Sequence, residues 1–318
     1  MMLPNIFNPS NDMALAANVR EYVPPKRIQQ MENDLADLAH LWDDTRFAGP
    51  WGWSLATKRR YERMGIPPWE LPTDEWIADV RRLSSREFAC GYIRELLFVM
   101  DDERLLGHNM AFVDSTHIYN KYDSAILPSC PLIFKSPWSS SGRGVFVAKM
   151  LDEQTKTRLH GFVDTQGGFL VDRFYDNKTL DFAMEFFVNP DHTVEFLGYS
   201  VFHAATTGAY AYNLVESQEK LLRIIDVDAL LLQRLISYHM AFLSGIAYHG
   251  AVGVDMLKCA DGRIHPCIEI NLRMNMGILS MLVQQRYGSG CSISLTPHRS
   301  HGFQALVEDG KLMVTFSK

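Results

Sequence analysis

No stretch of the chain reaches the roughly 18 apolar residues that a membrane-spanning helix needs, so no membrane association is expected. Cysteine is scarce. The five residues, Cys90, Cys130, Cys259, Cys267 and Cys291, are an odd number with no C-x-x-C pair. That argues against a disulfide framework and a thiolate zinc site, and the expected compartment is a reducing cytoplasm. Basic charge is not in excess: 31 Lys and Arg stand against 37 Asp and Glu, a net charge of −6. A dominant nucleic-acid role is not expected from such a balance. Met1 to Asn18 has no basic start and meets Asn8, Asn11 and Asp12 too early for a signal peptide. The string G-x-x-x-x-G-K-[ST] is missing. The first turn, Asn8-Pro9-Ser10-Asn11-Asp12, has no glycine and cannot be a dinucleotide loop. Internal repeats and low-complexity segments are also lacking.

What remains is a globular composition. Of 318 residues, 47% are hydrophobic and 21% charged, enough for a large core in two domains or one with fused lobes. Met2 to Phe7 reads as a strand, followed by a polar turn and a helix over Met13 to Val19. Thr73 or Asp74 caps a helix through Leu83, and Ser84-Ser85 precede a second over Arg86 to Met100. From residue 108 the texture becomes that of strands: Pro131–Phe134, Val145–Ala148, Gly168–Phe174, Thr179–Val188 and Val194–His203. Residues 227–248 form the longest helical pattern. Val252–Leu257 and Ile264–Asn271 close the series as a hairpin. The fold class is α+β or α/β with an antiparallel second half.

Between two of those strands lies Lys135-Ser-Pro-Trp-Ser-Ser-Ser-Gly-Arg-Gly144. Glycine permits close backbone approach, and loop N–H and hydroxyl groups donate well to phosphate oxygens. Lys135 adds a fixed positive charge at the strand end. The same string also suits an ordinary surface hairpin.

Parity carries the hairpin. Val252, Val254 and Met256, and Ile264, Ile268 and Ile270, are all even positions, and strand side chains alternate faces. The apolar sets therefore share the core face, leaving Asp255, Glu269 and Asn271 together on the other. Pairing with a sum of 524 sets Asp255 opposite Glu269 and makes Asp261-Gly262-Arg263 the loop. Two carboxylates and an amide form a hard-oxygen set suited to Mg²⁺ or Mn²⁺. Without a cation, the facing acids repel and one raises its pKa. A solvated polar face is the competing reading, though opposed acids make a poor solvated pair. Arg273 falls on the same side.

Taken in order, three strings resemble the ATP-grasp superfamily: Pro131-Leu-Ile-Phe-Lys-Ser-Pro-Trp-Ser-Ser-Ser-Gly-Arg-Gly-Val145, Leu170-Val-Asp-Arg-Phe-Tyr175, and Gly253-Val-Asp255 with Ile268-Glu-Ile-Asn-Leu-Arg273. The resemblance covers residues ~84–285; residues 1–83 resemble the family's preceding α/β domain only loosely. It implies an N-terminal α/β domain over 1–83, a central lobe over 84–170 and a C-terminal lobe over 171–318, with ATP clamped between the last two.

The resemblance also assigns roles. Lys135 is similar to the lysine that contacts the α- and β-phosphates. Arg86 is the candidate second phosphate base, with Lys121 as alternative. Ser139, Ser140, Ser141, Gly142, Arg143 and Gly144 match the lid. Asp172, Arg173, Phe174 and Tyr175 match the hinge that reads adenine, although the family more often has Glu where Asp172 stands. Asp181 matches the ribose acid. Asp255, Glu269 and Asn271 match the magnesium ligands, and Arg273 matches an arginine that steadies an acyl phosphate.

The implied activity is an ATP-dependent ligase that joins a carboxylate to an amine through an acyl phosphate, with ATP and Mg²⁺ (or Mn²⁺) as cofactors. A phosphotransferase and a non-catalytic nucleotide-binding protein are the alternatives. Implied partners are small-molecule or peptide carboxylates and amines, with a homodimer left open. The His203–Asn213 segment lies near the acceptor site in this resemblance and suits either substrate contact or an inert loop.

Overall fold

The computed structural model describes residues 3–43, 46–114, 130–139, 144–204, 210–297 and 303–308. Helices dominate the first hundred: α1 (Asn11–Ala17), α2 (Lys26–Asp34), a 3-10 helix (Ala36–Trp42), α3 (Leu55–Arg63), α4 (Asp74–Leu83) and α5 (Arg86–Met100). Then come β1 (Ala111–Asp114), β2 (Leu132–Lys135), β3 (Val145–Ala148), α6 (Glu153–Gln166), β4 (Gly168–Arg173), β5 (Lys178–Val188), β6 (Val194–Ala204) and β7 (Tyr210–Val215). The chain continues with α7 (Gln218–Ile225), α8 (Ala229–Ser244), β8 (Gly250–Cys259), β9 (Ile264–Asn271), α9 (Met276–Tyr287), β10 (Cys291–Pro297) and β11 (Phe303–Glu308). No helix of the described residues is long and apolar enough to cross a membrane.

Capping chemistry sets the helix starts. Thr73 and Ser85 accept N–H bonds from Trp76 and Phe88, at the starts of α4 and α5. The expected strand over Met2–Phe7 is not formed. Among its described residues only Ile6 makes a β-contact, an isolated parallel bridge to Pro50. Pro4 lacks the N–H a ladder needs, and Asn8-Pro9 break the run at once. Residues 3–83 hold helices and that bridge, with no strand ladder among the described residues.

Two antiparallel sheets form the rest. The smaller has the order β1-β4-β2-β3 and the larger β11-β10-β7-β6-β5-β8-β9. On β5 the even residues Phe182, Met184, Phe186 and Val188 lie in the main core with Val252, Val254 and Met256 of β8. Alternation sends Asp181, Ala183 and Glu185 to the opposite face. The smaller sheet packs Val113, Phe134, Phe169 and Val171 with Leu159 of α6. A further cluster joins Phe7, Leu38, Trp42 and Trp51 to Ala251, Met274 and Ile278. The N-terminal segment thereby docks at the β9–α9 turn, where Met274 N–H bonds Trp51 O at 2.8 Å.

The hairpin keeps its expected register at the far end and loses it near the turn. Asp255 pairs with Glu269, Val254 with Ile270 and Gly253 with Asn271. Beyond a bulge the pairs are Leu257 with His265 and Lys258 with Ile264, so the sum falls to 522. Cys259 N–H then bonds Arg263 O, which leaves Ala260-Asp261-Gly262 as the loop instead of Asp261–Arg263. Pro266 explains the shift, because it cannot donate to the ladder. The bulge also moves Ile268 off the core face: it packs with Leu106, Leu257, Cys259 and Tyr175, while Cys267 takes a place in the main core.

Phe134 is fully buried, with its ring 5.2 Å from Phe146 and 5.9 Å from Phe169. Phe134→Ala is expected to cost about 3–5 kcal/mol, read as a lower denaturant midpoint at unchanged slope.

Candidate active site

The site lies where the odd face of β5, β8 and β9 meets the end of β2. Lys135 ends β2, pairs with Val145 and Leu170 across its backbone, and is buried. Burial pushes its ammonium pKa down, while the nearby Asp172 and Glu269 charges act the other way and Arg86 adds to the lowering. Among the described residues it makes no hydrogen bond or ion pair. A buried ammonium without a direct partner is a costly arrangement that an anionic ligand would relieve.

Arg86, the first residue of α5, links three parts of the site. Its guanidinium donates to Glu269 Oε1 at 2.9 Å and Oε2 at 2.8 Å, to Ser136 O at 2.7 Å and to Ser139 Oγ at 2.8 Å. It is thus bound to the acidic floor and to the base of the glycine loop. Gly144 closes that loop with φ +74°, and a Cβ there would stand 2.3 Å from Ser136 Oγ, so both backbone angle and contact demand glycine. Trp138 anchors the same loop by donating Nε1–H to Arg81 O at 2.9 Å.

On the floor, Asp255 is directly opposite Glu269. Burial raises the Asp255 pKa well above the carboxylate range, and the Glu269 and Glu185 charges raise it further. Asn271 donates Nδ2–H to Asp255 Oδ2 at 3.1 Å and accepts from Arg273 at 2.8 Å. Arg273 in turn grips Asp12 in a two-point pair, Nε to Oδ1 at 2.9 Å and an Nη to Oδ2 at 2.7 Å. Burial opposes the Arg273 charge, but Asp12 and the floor acids outweigh it and hold its pKa above the ordinary value. The sequence reading found Arg273 and missed Asp12.

At the hinge, Asp172 is buried and shares a 3.2 Å contact with His265 Nε2. Phe174 N–H is committed to Pro131 O at 2.9 Å and Arg173 N–H to Asp172 Oδ1 at 2.7 Å. The Arg173 side chain is exposed. Tyr175 packs its ring 5.9 Å from His265, edge to face. Asp181 sits on the site face but is paired with Lys178 at 2.6 Å. Ser140, Ser141, Gly142, Arg143 and Lys121 lie outside the described residues, as does most of the inner part of the His203–Asn213 segment.

Glu185 is a second residue the sequence reading missed. Only 1% exposed, it pairs across the sheet with Gly198 and Gly253. Its carboxylate accepts from Ser200 Oγ and Asn275 Nδ2, each at 2.7 Å. Asn275 caps α9 through Ile278 N–H, so Glu185 fixes the start of the helix that follows Arg273. A Cβ at Gly277 would stand 2.0 Å from Glu185 Oε1, which explains that glycine. Burial pushes the Glu185 pKa up to about 7, against the lowering effect of its two hydrogen bonds.

The donor set suits a hard divalent cation in chemistry: two carboxylates and an amide oxygen, with Asp255 in no ion pair among the described residues. Among the described residues no three His, Cys, Asp or Glu side chains are grouped to hold a metal unaided. Any such cation therefore needs oxygens from a ligand as well.

No family model matches the chain, and no curated protein matches it in sequence. Solved structures do match. The biotin carboxylase domain of Hydrogenobacter thermophilus 2-oxoglutarate carboxylase, solved with MgADP and bicarbonate, aligns at 12% identity and a TM-score of 0.50, covering 89% of this chain and 69% of that one. N5-carboxyaminoimidazole synthetase from Staphylococcus aureus with ADP aligns at 11% identity and TM-score 0.38, covering 59% of this chain and 52% of that one. D-alanine–D-alanine ligase from Helicobacter pylori aligns at 13% and 0.41, covering 63% and 54%. The chain thus spans about half the length of the last two. The fold is the ATP-grasp fold.

Two outcomes test the electrostatics. Asp12→Asn is expected to leave the Arg273 guanidinium without its two-point acid, read as a lower melting temperature than the parent's. The second is a pH effect. A carboxyl whose pKa is raised by folding contributes stability below its unfolded value of about 4.5 and loses it as pH rises through about 7. Glu185→Gln should remove that fall, which amounts to roughly 3 kcal/mol at most, so its melting temperature should vary less than the parent's between pH 5 and 8.

Proposed function

We propose that this protein is an ATP-dependent ligase that joins a carboxylate to an amine through an acyl phosphate. The observation that carries the reading is the buried, unpartnered Lys135 ammonium beside an acidic floor made by Asp255 and Glu269. A metal–nucleotide complex supplies the anion for the first and the cation for the second. In this reading residues 1–83, 84–170 and 171–318 are the three functional segments, and the protein works in the cytoplasm.

Lys135 and the N–H groups of the glycine loop bind phosphate oxygens. Arg86 positions the loop over the floor and releases or shares Glu269. Asp255, Glu269 and Asn271 would hold Mg²⁺, which would neutralise phosphate charge there. A carboxylate oxygen attacks the γ-phosphorus, and the bond to the β–γ bridging oxygen breaks to release ADP. An amine nitrogen then attacks the acyl carbon, phosphate leaves, and the nitrogen loses a proton. Arg273, held by Asp12, stabilises the negative oxygens of the acyl phosphate. Hinge residues Asp172 to Tyr175 take the adenine end and Asp181 the ribose. Phosphoryl transfer of this kind depends mainly on positioning and charge, and water must be kept from the acyl phosphate.

The test is ATP turnover with panels of carboxylates and amines, followed by mass detection of an amide. Lys135→Ala and Glu269→Gln should each lower turnover by about 10²-fold or more, as loss of a charge-stabilising group does, with the fold retained by circular dichroism. Phosphorylated acceptor without an amide would instead identify a phosphotransferase. Unchanged turnover in Lys135→Ala would overturn the phosphate assignment.

A further inference from the structure

A separate cavity of about 210 Å³ lies on the far side of the Asn8–Asp12 loop, between that loop, α2 and α3. Its floor is neutral and polar. Asn8 donates to Gly52 O at 2.9 Å and Thr57 Oγ1 at 3.0 Å, and Ser54 shares a 2.9 Å contact with Thr57. These groups are buried. The rim is charged, and most of its charge is already matched. Arg20 pairs with Glu62 and Asp74, and Glu21 takes both Arg59 and Arg63.

Two lining groups are left over. The Arg60 side chain makes no ion pair or hydrogen bond among the described residues, although Arg60 lines the cavity. Glu32 uses Oε1 for the hydroxyl and N–H of Ser10, and Oε2 has no partner among the described residues. Burial pushes the Glu32 carboxyl pKa up; Arg60 is near enough to work against that but does not bond to it. One unmatched cation and one unmatched anion thus share a polar cavity of small-molecule size.

We propose that this cavity binds a small zwitterion of the α-amino-acid class, its carboxylate on Arg60 and its ammonium on Glu32. A plain anion would leave the Glu32 carboxylate facing like charge, and a plain cation would gain nothing from Arg60. The volume is below the usual range for drug-sized ligands, which suits a molecule of this size. The loop connects the cavity to the reaction. Ser10 holds Glu32, and two residues on Asp12 holds Arg273. Asn8, Ser10, Asn11 and Asp12 are all buried, where the turn runs into the first two residues of α1. This assignment rests on the ligase reading: the cavity is separate from the acidic floor, so the amino acid bound there acts on the reaction through the loop and is not itself at the reacting atoms.

The experiment is calorimetric titration of the full chain with the proteinogenic amino acids, with Mg²⁺ and a non-hydrolysable ATP analogue present. Each binder is compared with its des-amino and decarboxylated counterparts. Expected is saturable binding of one or a few amino acids, weakened at least about tenfold by removing either charged end, the loss typical of one charge-assisted contact. Arg60→Ala and Glu32→Gln should weaken the binder to a similar extent and leave the affinity for the ATP analogue unchanged. Arg60 is exposed, so its variant is not expected to perturb the fold. The proposal is overturned if the analogue binds and no amino acid does, if either truncated counterpart binds as well as its parent, or if Arg60→Ala binds like the unaltered chain. Failure of the analogue itself to bind the unaltered chain would instead overturn the ligase reading, and amino-acid binding is measured in its absence as well.

Discussion

Two carboxylates set directly across an antiparallel ladder repel, and burial makes that repulsion expensive. Asp255 and Glu269 are such a pair, and much of the surrounding structure answers the problem they pose. Glu269 is met by Arg86 through two hydrogen bonds. Among the described residues Asp255 receives only the Asn271 amide, and its raised pKa expresses the deficit. Arg273 stands one step further out and is itself shared with Asp12. Two bonded series meet at the carboxylate pair, Ser139–Arg86–Glu269 on one side and Asp255–Asn271–Arg273–Asp12 on the other. Residues from the N-terminal segment, the glycine loop and the large sheet are joined by these two series.

Arg86 has a different place in its series from the one its position in sequence suggests. A guanidinium free to meet phosphate would leave Glu269 uncompensated. In the structure the guanidinium fills the role of a cation on Glu269 while holding Ser136 and Ser139. Among the described residues the Lys135 ammonium is left without a hydrogen bond or ion pair. The division is physically sensible: Arg has a planar fork suited to bridging several acceptors, whereas Lys carries a compact point charge on a flexible stem.

The legible part of this site was the part governed by exact periodicity. Strand alternation has period two, so Asp255, Glu269 and Asn271 could be placed on one face from their numbers alone. The same argument overran at the turn, because Pro266 withdraws a donor and the ladder absorbs the loss as a bulge that re-aims Ile268. Helix caps were equally legible: Ser85 stands just before Arg86 and caps it. Asp12 was not, since its partner Arg273 is 261 residues away and local pattern carries no trace of that contact. Glu185 left a fainter signal, a lone acid inside the run Phe182-Ala-Met-Glu-Phe-Phe-Val188. Its meaning depends on Ser200, Asn275 and Gly277 converging from three other elements.

Glu185 and Asp12 share a function in the architecture that their distance in sequence hides. Both are acids that act on the short stretch Asn271–Asn275, one from below through Asn275 and one from the side through Arg273. The stretch joins β9 to α9 and has no ladder of its own beyond Asn271. Its Arg273 must stay at the floor although the floor's own acids attract it more than one way. Asp12 takes two of its donors, and Met274 is tied to Trp51 by its N–H. Asn275 caps the start of α9, and Glu185 fixes Asn275 by accepting from its side-chain amide. The arginine is therefore held by the fold on both sides and does not depend on ligand to be placed. That preorganisation is what electrostatic stabilisation of a developing charge requires, because donors already aimed need no reorganisation when the charge appears.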